Sequence, residues 1–194
     1  MESKNLKVKD FVLIGVFAVI YFFVMFVVGM MGMVPILFPI YPSLLGIIAG
    51  TIIMLFEAKV PKAWGLFILG MLAPTAMFLM GHTFVLPLFS LLVMLIAELI
   101  RRSGSYRSLK KDMLACAVFN IWICGSFMQL LLMHEKYKAL TLKMMSESYF
   151  SRLEKIITWP TVAISIAGAL IGGYIGAVIG KKLLKKHFEK AGIA

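Results

Sequence analysis

The chain has 194 residues, of which 61% are hydrophobic, and its formal net charge is +11, from 20 lysines and arginines against 9 acidic residues. Soluble domains contain roughly half apolar residues, so this composition indicates an integral membrane protein. The basic residues lie in short clusters between apolar runs, which is typical of the positive-inside rule and not of nucleic-acid binding. We therefore predict no nucleic-acid partner.

Six apolar runs predict an all-α integral membrane protein with a single transmembrane domain over residues 1–194. Most runs approach or reach the length of about 20 residues that a helix needs to cross a bilayer. A longer connection, residues 134–155, separates the last two runs. The predicted spans are residues 11–30, 34–56, 64–80, 84–100, 113–133 and 156–180.

The distribution of lysine and arginine predicts how these spans are oriented. With a cytoplasmic N terminus, the segments on that side contain 15 lysines and arginines, and the segments on the other side contain 5. This bias predicts a multi-pass protein of the cell membrane whose N and C termini are both cytoplasmic. The outer connection, 134–155, fits either an interfacial amphipathic helix or a lid over an outward-facing site.

Common catalytic motifs are absent from the sequence, which contains no P-loop, HExxH or CxxC. We predict that the protein is not an enzyme and requires no cofactor. Glu98 is the one acidic residue inside a predicted span, close to Arg101 and Arg102. We expect this carboxylate to pair with an arginine near the cytoplasmic surface.

His82 lies in the short predicted turn Gly81-His82-Thr83 between the third and fourth spans. Its imidazole could bind a ligand carboxylate, or it could coordinate iron if the ligand is heme or another chelate. The thioether of Met80 is close in sequence and could contribute to the same site. An ordinary turn residue at the membrane interface fits the pattern equally well.

Polar and aromatic side chains in the fifth span and at the start of the sixth predict further walls of a ligand pocket. Polar side chains inside a membrane helix normally face the protein interior or a cavity. Hydrogen bonds between helices and an interfacial aromatic belt are the alternative interpretation. The residues concerned are Asn120, Trp122, Ser126, Gln129 and Trp159.

Glycines at positions 168, 172, 176 and 180 recur every four residues in the sixth span. Residues four apart share one face of a helix, and a face of small residues allows another helix to approach closely. We therefore expect Gly168, Gly172, Gly176 and Gly180 to pack against another helix of the same protein.

Three segments resemble the substrate-binding S components of energy-coupling factor (ECF) transporters, and the likeness is closest to the Trep_Strep group. The segments are residues 6–18, the dipeptide Gly81-His82 and the basic tail, residues 180–194. The resemblance implies a six-helix subunit that captures a micronutrient near its outer face. It also implies two kinds of partner, namely a membrane T component and two cytoplasmic ATPases that hydrolyse ATP on separate chains.

In that family a small-residue motif of the first helix, Ala-x-x-x-Ala, usually contributes to docking on the T component. The present sequence has Gly15 and Ala18 at the matching place, with Val19 where the second small residue would fall. The resemblance includes relatives associated with heme or iron chelates, which makes heme one possible ligand. An autonomous small transporter and a membrane enzyme are the alternatives, but we find neither internal repeats of the spans nor converging catalytic groups.

Overall fold

The computed structural model describes residues 5–185, which form a bundle of α-helices with no strand in that range. Short 3₁₀ helices occupy Met30–Met33, Pro35–Ile40 and Asn120–Cys124. Residues 1–4 and 186–194, which include most of the basic tail, lie outside the described residues. The α-helices of the described part are α1 (Val8–Gly29), α2 (Tyr41–Lys59), α3 (Gly65–Leu79), α4 (Val85–Ser103), α5 (Leu109–Phe119), α6 (Gly125–Leu132), α7 (His134–Thr141), α8 (Glu147–Ile156) and α9 (Trp159–Leu183).

Four helical segments of the described part are long and apolar enough to cross a membrane, so the chain has the character of a multi-pass membrane protein. α3 is apolar but only 15 residues long, and α4 ends in Arg101 and Arg102. That α3 and α4 also cross the membrane stays a prediction. The total of six spans and the orientation of the termini depend on these crossings, so they stay predictions too. The four segments are Val8–Met33, Pro35–Lys59, Leu109–Leu132 and Trp159–Leu183.

α2 packs along α9, and glycines remove the side chains that would separate the two helices. A Cβ atom on Gly172 would overlap the backbone of Ser43, and one on Gly176 would overlap the backbone of Gly46. Likewise, a Cβ on Gly180 would lie 2.9 Å from the Cβ of Met54. The glycine face of α9 is therefore in backbone contact with α2 inside the protein.

The remaining glycine of that face, Gly168, lies against the hydroxyl of Ser43. Nearby, Ser165 donates a hydrogen bond of 3.1 Å to the backbone carbonyl of Pro39. Direct van der Waals contact and hydrogen bonds of this kind hold membrane helices together, because lipid tails are as apolar as the helices themselves.

The segment before α2 contains Pro35 and Pro39, is irregular because proline lacks a backbone N–H, and is only partly buried. Pro35–Ile40 forms a 3₁₀ helix in which every residue is at least partly exposed. The hydroxyl of Tyr149 in α8 donates a hydrogen bond to the carbonyl of Gly32, and the rings of Phe38 and Phe127 pack edge to face. The segment is thus held by contacts with α6, α8 and α9 and remains partly exposed.

A buried ionic cluster lies where α2 and α4 end and α5 begins. The guanidinium Nε of Arg101 lies 3.0 Å from the Asp112 carboxylate and 3.5 Å from that of Glu57, and all three side chains are fully buried. Charges removed from water must be paired, because an unpaired buried ion costs several kcal/mol. All three residues lie at the end of the bundle that the lysine and arginine count assigns to the cytoplasm.

Glu98 does not pair with an arginine, contrary to our expectation. Its carboxylate accepts backbone hydrogen bonds from Trp64, at 2.6 Å, and from Phe67, at 3.3 Å. These N–H groups belong to the start of α3, where four donors have no partner within the helix. Glu98 therefore caps α3, a role that a distant contact decides and that the sequence pattern does not reveal.

Candidate functional site

A cavity of about 380 Å³ lies between the turn that joins α3 to α4 and the helix α7. Its wall is mostly apolar, and it opens to the surface beside exposed residues such as Phe84, Lys136 and Lys143. Ligand pockets commonly have this character, with an apolar wall and a few polar groups at chosen positions. The lining residues are Phe78, Gly81, His82, Thr83, Phe84, Met133, Lys136, Ala139, Leu140 and Lys143.

The position of His82 follows from the way α3 ends. The N–H of Gly81 bonds to the carbonyl of Phe78, and the N–H of His82 bonds to the carbonyl of Met77. This pair of bonds is the Schellman motif of a helix C terminus. It requires a positive φ at Gly81, which is 104°, a value that glycine adopts readily. The Gly-His dipeptide therefore ends the helix and places His82 at the edge of the cavity.

Gln129 of α6 fixes the orientation of the His82 ring. The backbone N–H of Thr83 donates to Gln129 Oε1 at 2.7 Å, and Gln129 Nε2 lies 3.2 Å from His82 Nδ1. Because Oε1 accepts from a backbone N–H, the amide NH₂ faces the ring and donates to Nδ1. The neutral imidazole consequently carries its proton on Nε2.

Burial lowers the pKa of the His82 imidazole below its ordinary value. The side chain is half-buried in the turn, and desolvation disfavours its charged form. At pH 7 the ring is therefore neutral, and Nε2–H is a hydrogen-bond donor without a partner in the described part of the chain.

Three further groups give the cavity a cationic, donor-rich character. Thr83 is 7% exposed, and its buried hydroxyl oxygen has no hydrogen-bond partner among the described residues. Within residues 5–185, Lys136 and Lys143 have no carboxylate within 4.0 Å. No acidic residue belongs to the described lining of the cavity.

Thr83, Lys136 and Lys143 were absent from our sequence-based set of site residues. A signal for the lysines exists in the sequence, since Lys136, Leu140 and Lys143 are spaced to lie on one helical face. The connection 134–155 forms two helices, and α7 supplies a wall of the cavity. Nothing in the local sequence shows that this face meets the turn at His82.

Of the residues predicted to line one pocket, the structure brings His82 and Gln129 together. Asn120 instead donates two hydrogen bonds between helices, to the carbonyls of Pro42, at 2.7 Å, and Ala169, at 3.0 Å. This agrees with the alternative interpretation of interhelical hydrogen bonding.

Trp122 is fully buried, and its indole N–H donates to the Tyr21 hydroxyl at 2.8 Å, again within the helix packing. Ser126 is buried in α6 but does not line the cavity. Met80 is 71% exposed and Trp159 is 56% exposed, and both lie outside the cavity. We predicted that polar side chains of one helix share a pocket. In the structure they point in different directions around the helix axis and therefore meet different neighbours.

No group of three or more histidine, cysteine or acidic side chains able to hold a metal ion occurs among the described residues. His82 remains the one candidate for iron coordination in our prediction. Its Nδ1 accepts a hydrogen bond. A metal-bound histidine normally donates from its second nitrogen, so the observed hydrogen bond differs from that arrangement.

A second, wider groove of about 630 Å³ lies between α1 and α3. It contains Gly15 and Ala18, the residues predicted to contact a partner. A Cβ atom on Gly15 would meet no other atom within 4 Å, so this position is open. The rest of the lining is apolar or aromatic: Val19, Tyr21, Phe22, Phe23, Phe26, Leu69, Leu72, Ala73 and Ala76.

Comparison with known proteins identifies one family. A family model described as a hypothetical bacterial integral membrane protein (Trep_Strep) matches residues 8–190, which is most of the chain. No curated protein and no solved structure matches the sequence. The extent of the match, together with the apolar helical bundle, shows that this chain belongs to the Trep_Strep family of bacterial integral membrane proteins.

Proposed function

We propose that the protein is the substrate-binding S component of an ECF-type importer and that it captures a micronutrient in the cavity at His82. The observation that carries the proposal is this cavity, whose wall contains two lysines and hydrogen-bond donors that have no partner among the described residues. It lies on the side that the lysine and arginine count predicts to face outward. A binding subunit of an importer needs such a site at that level of the membrane.

A T component and two ATPases are the proposed partners, and ATP hydrolysis takes place on those separate chains. In this proposal the groove between α1 and α3 receives the T component. Gly15 is exposed there, and neighbouring Val19 and Phe23 are exposed apolar residues. Small residues allow a second helix to approach closely within a membrane, so the groove is suited to helix docking.

Co-purification tests the proposal. The tagged chain is expressed with a T component and the two ATPases from the same bacterium, extracted in mild detergent and captured by its tag. We expect a stable complex with all three partners, and we expect ATP hydrolysis only when the ATPase chains are present. Recovery of the chain without these partners under conditions in which they assemble with each other would refute the S-component role.

Two matched variants test the docking groove. Ala18→Leu fills the groove, whereas Ala167→Leu adds the same side chain to an exposed position of α9. We expect the first variant to lose the partners and the second to keep them. Equal capture of the partners by both variants would place the docking surface elsewhere.

A further inference from the structure

The hydrogen bonds around His82 determine which atom of the ring meets a ligand. Thr83 N–H is a donor only, so the atom of Gln129 at 2.7 Å from it is the amide oxygen. The amide NH₂ then faces His82 Nδ1, at 3.2 Å, and the ring must accept there. The cavity is left with the Nε2–H group, which donates hydrogen bonds and has no lone pair for a metal.

Iron coordination by Nε2 would require the reverse arrangement. The proton would move to Nδ1, and Gln129 would have to turn its oxygen toward the ring to accept from it. The amide NH₂ would then face the backbone N–H of Thr83, which places two donors against each other. Gln129 is fully buried, and an unsatisfied buried donor is costly. The observed network therefore opposes metal coordination by His82.

The other polar groups of the cavity suit an anionic oxygen. The Thr83 hydroxyl is buried in the cavity wall and has no hydrogen-bond partner among residues 5–185. Lys136 and Lys143 supply positive charge and have no carboxylate within 4.0 Å in that range. Hydrogen bonds from such donors to a carboxylate are roughly twice as strong as those between neutral groups. The remaining wall, which includes Phe78, is apolar and suits the body of a hydrophobic molecule.

We propose that the cavity binds a molecule with an apolar body through its carboxylate groups, with His82 Nε2–H and the Thr83 hydroxyl as donors. This inference rests on the proposed function, since it defines the ligand class of the same site. If the ligand is heme, its propionates and not its iron meet His82. The proposal thus assigns Gln129 a positioning role, because it fixes the ring tautomer that presents a donor.

Three porphyrins separate the two modes of binding. Hemin contains iron and carboxylates, protoporphyrin IX contains the carboxylates alone, and protoporphyrin IX dimethyl ester contains neither iron nor free carboxylates. The full-length protein in detergent is titrated with each, and binding is followed by absorption and by quenching of tryptophan fluorescence. We expect hemin and protoporphyrin IX to bind with similar affinity, and the ester to bind at least about tenfold more weakly.

Variants of His82 provide the matched control. His82→Gln retains an N–H donor near the position of Nε2 but cannot replace imidazole as an iron ligand, whereas His82→Ala removes both functions. We expect the Gln variant to retain binding of protoporphyrin IX and the Ala variant to lose at least about tenfold. Binding of hemin alone, lost equally in both variants, would establish iron coordination and overturn the inference.

Thr83→Val separates a ligand contact from a structural role. The valine keeps the backbone N–H and the side-chain shape but removes a buried hydroxyl that has no partner within residues 5–185. We expect unchanged or higher thermal stability together with weaker binding of protoporphyrin IX. Unchanged affinity for protoporphyrin IX in this variant would show that the Thr83 hydroxyl does not contact the ligand. If neither hemin nor protoporphyrin IX binds the wild-type protein, the proposal of a carboxylate ligand is overturned. Co-purification with the ATPase chains is measured on the same preparations, so a failure of the S-component role is recorded separately.

Discussion

Gly172→Ala tests whether the glycine face of α9 is needed for its contact with α2. The added methyl carbon would lie 2.8 Å from the carbonyl carbon of Ser43 and would overlap its oxygen. The obstacle is backbone, which cannot rotate away, so we expect the upper part of the usual overpacking cost of about 1–3 kcal/mol. Alanine regains about 1 kcal/mol of helix propensity relative to glycine. The net loss in the free energy of unfolding is therefore about 2 kcal/mol.

Gly15→Ala is the matched control, because a methyl group there meets no atom within 4 Å. It should gain the same propensity without the overlap, so the two variants should differ by about 3 kcal/mol. Thermal unfolding in one detergent measures this difference. At about 2–4 °C per kcal/mol for a chain of this size, Gly172→Ala should unfold roughly 4–8 °C below wild type. Equal melting temperatures for the two variants would show that α2 and α9 are not in backbone contact.

Three further predictions concern the polar contacts. Glu98→Gln should lower the free energy of unfolding in denaturant by about 1–2 kcal/mol, because a neutral amide caps α3 more weakly than a carboxylate. Arg101→Met should cost about 3–5 kcal/mol by leaving buried carboxylates unpaired, and adding Asp112→Asn should restore part of it. Hydrogen bonds to two glutamates, led by Glu135, raise the pKa of His134. Nε2 of His134 lies 2.8 Å from the carboxylate of Glu154 in α8. This contact is therefore fully present below about pH 6.5 and is lost as the pH rises through the raised pKa, which should accelerate hydrogen exchange in α8.

The outcomes that would contradict these predictions are distinct. If Glu98→Gln is as stable as the wild type, α3 does not depend on this cap. If Asp112→Asn restores no stability to the Arg101→Met variant, the Arg101 cluster is not an ionic unit. For His134, the control is His134→Ala, which should remove the pH dependence in α8. The same pH dependence in both proteins would assign it to another group.

Several features could be predicted from local sequence because a single segment determines them. The apolar runs and the exclusion of charge from them indicated membrane helices, and the family match and the apolar helices of the described residues agree. Gly81-His82-Thr83 was predicted to be a short turn between two spans, and the structure has a turn there with a positive φ at Gly81. The regular spacing of glycines in α9 indicated a face open to close approach.

Other features depended on segments far apart in the chain. Glu98 caps α3 by accepting from Trp64, 34 residues before it, and the Asn120 side chain bonds to Pro42 and Ala169, residues 78 and 49 positions away. Sequence periodicity gives the face of a helix on which a side chain lies but not the neighbour that it meets. Hence the packing of the helices decided the tautomer of His82 and the positions of Lys136 in α7 and Lys143 in the turn that follows it. The sequence by itself determined that the chain forms apolar helices suited to a membrane, since composition and length decide that. Only the tertiary structure decided which polar groups share a cavity, because that depends on contacts between distant segments.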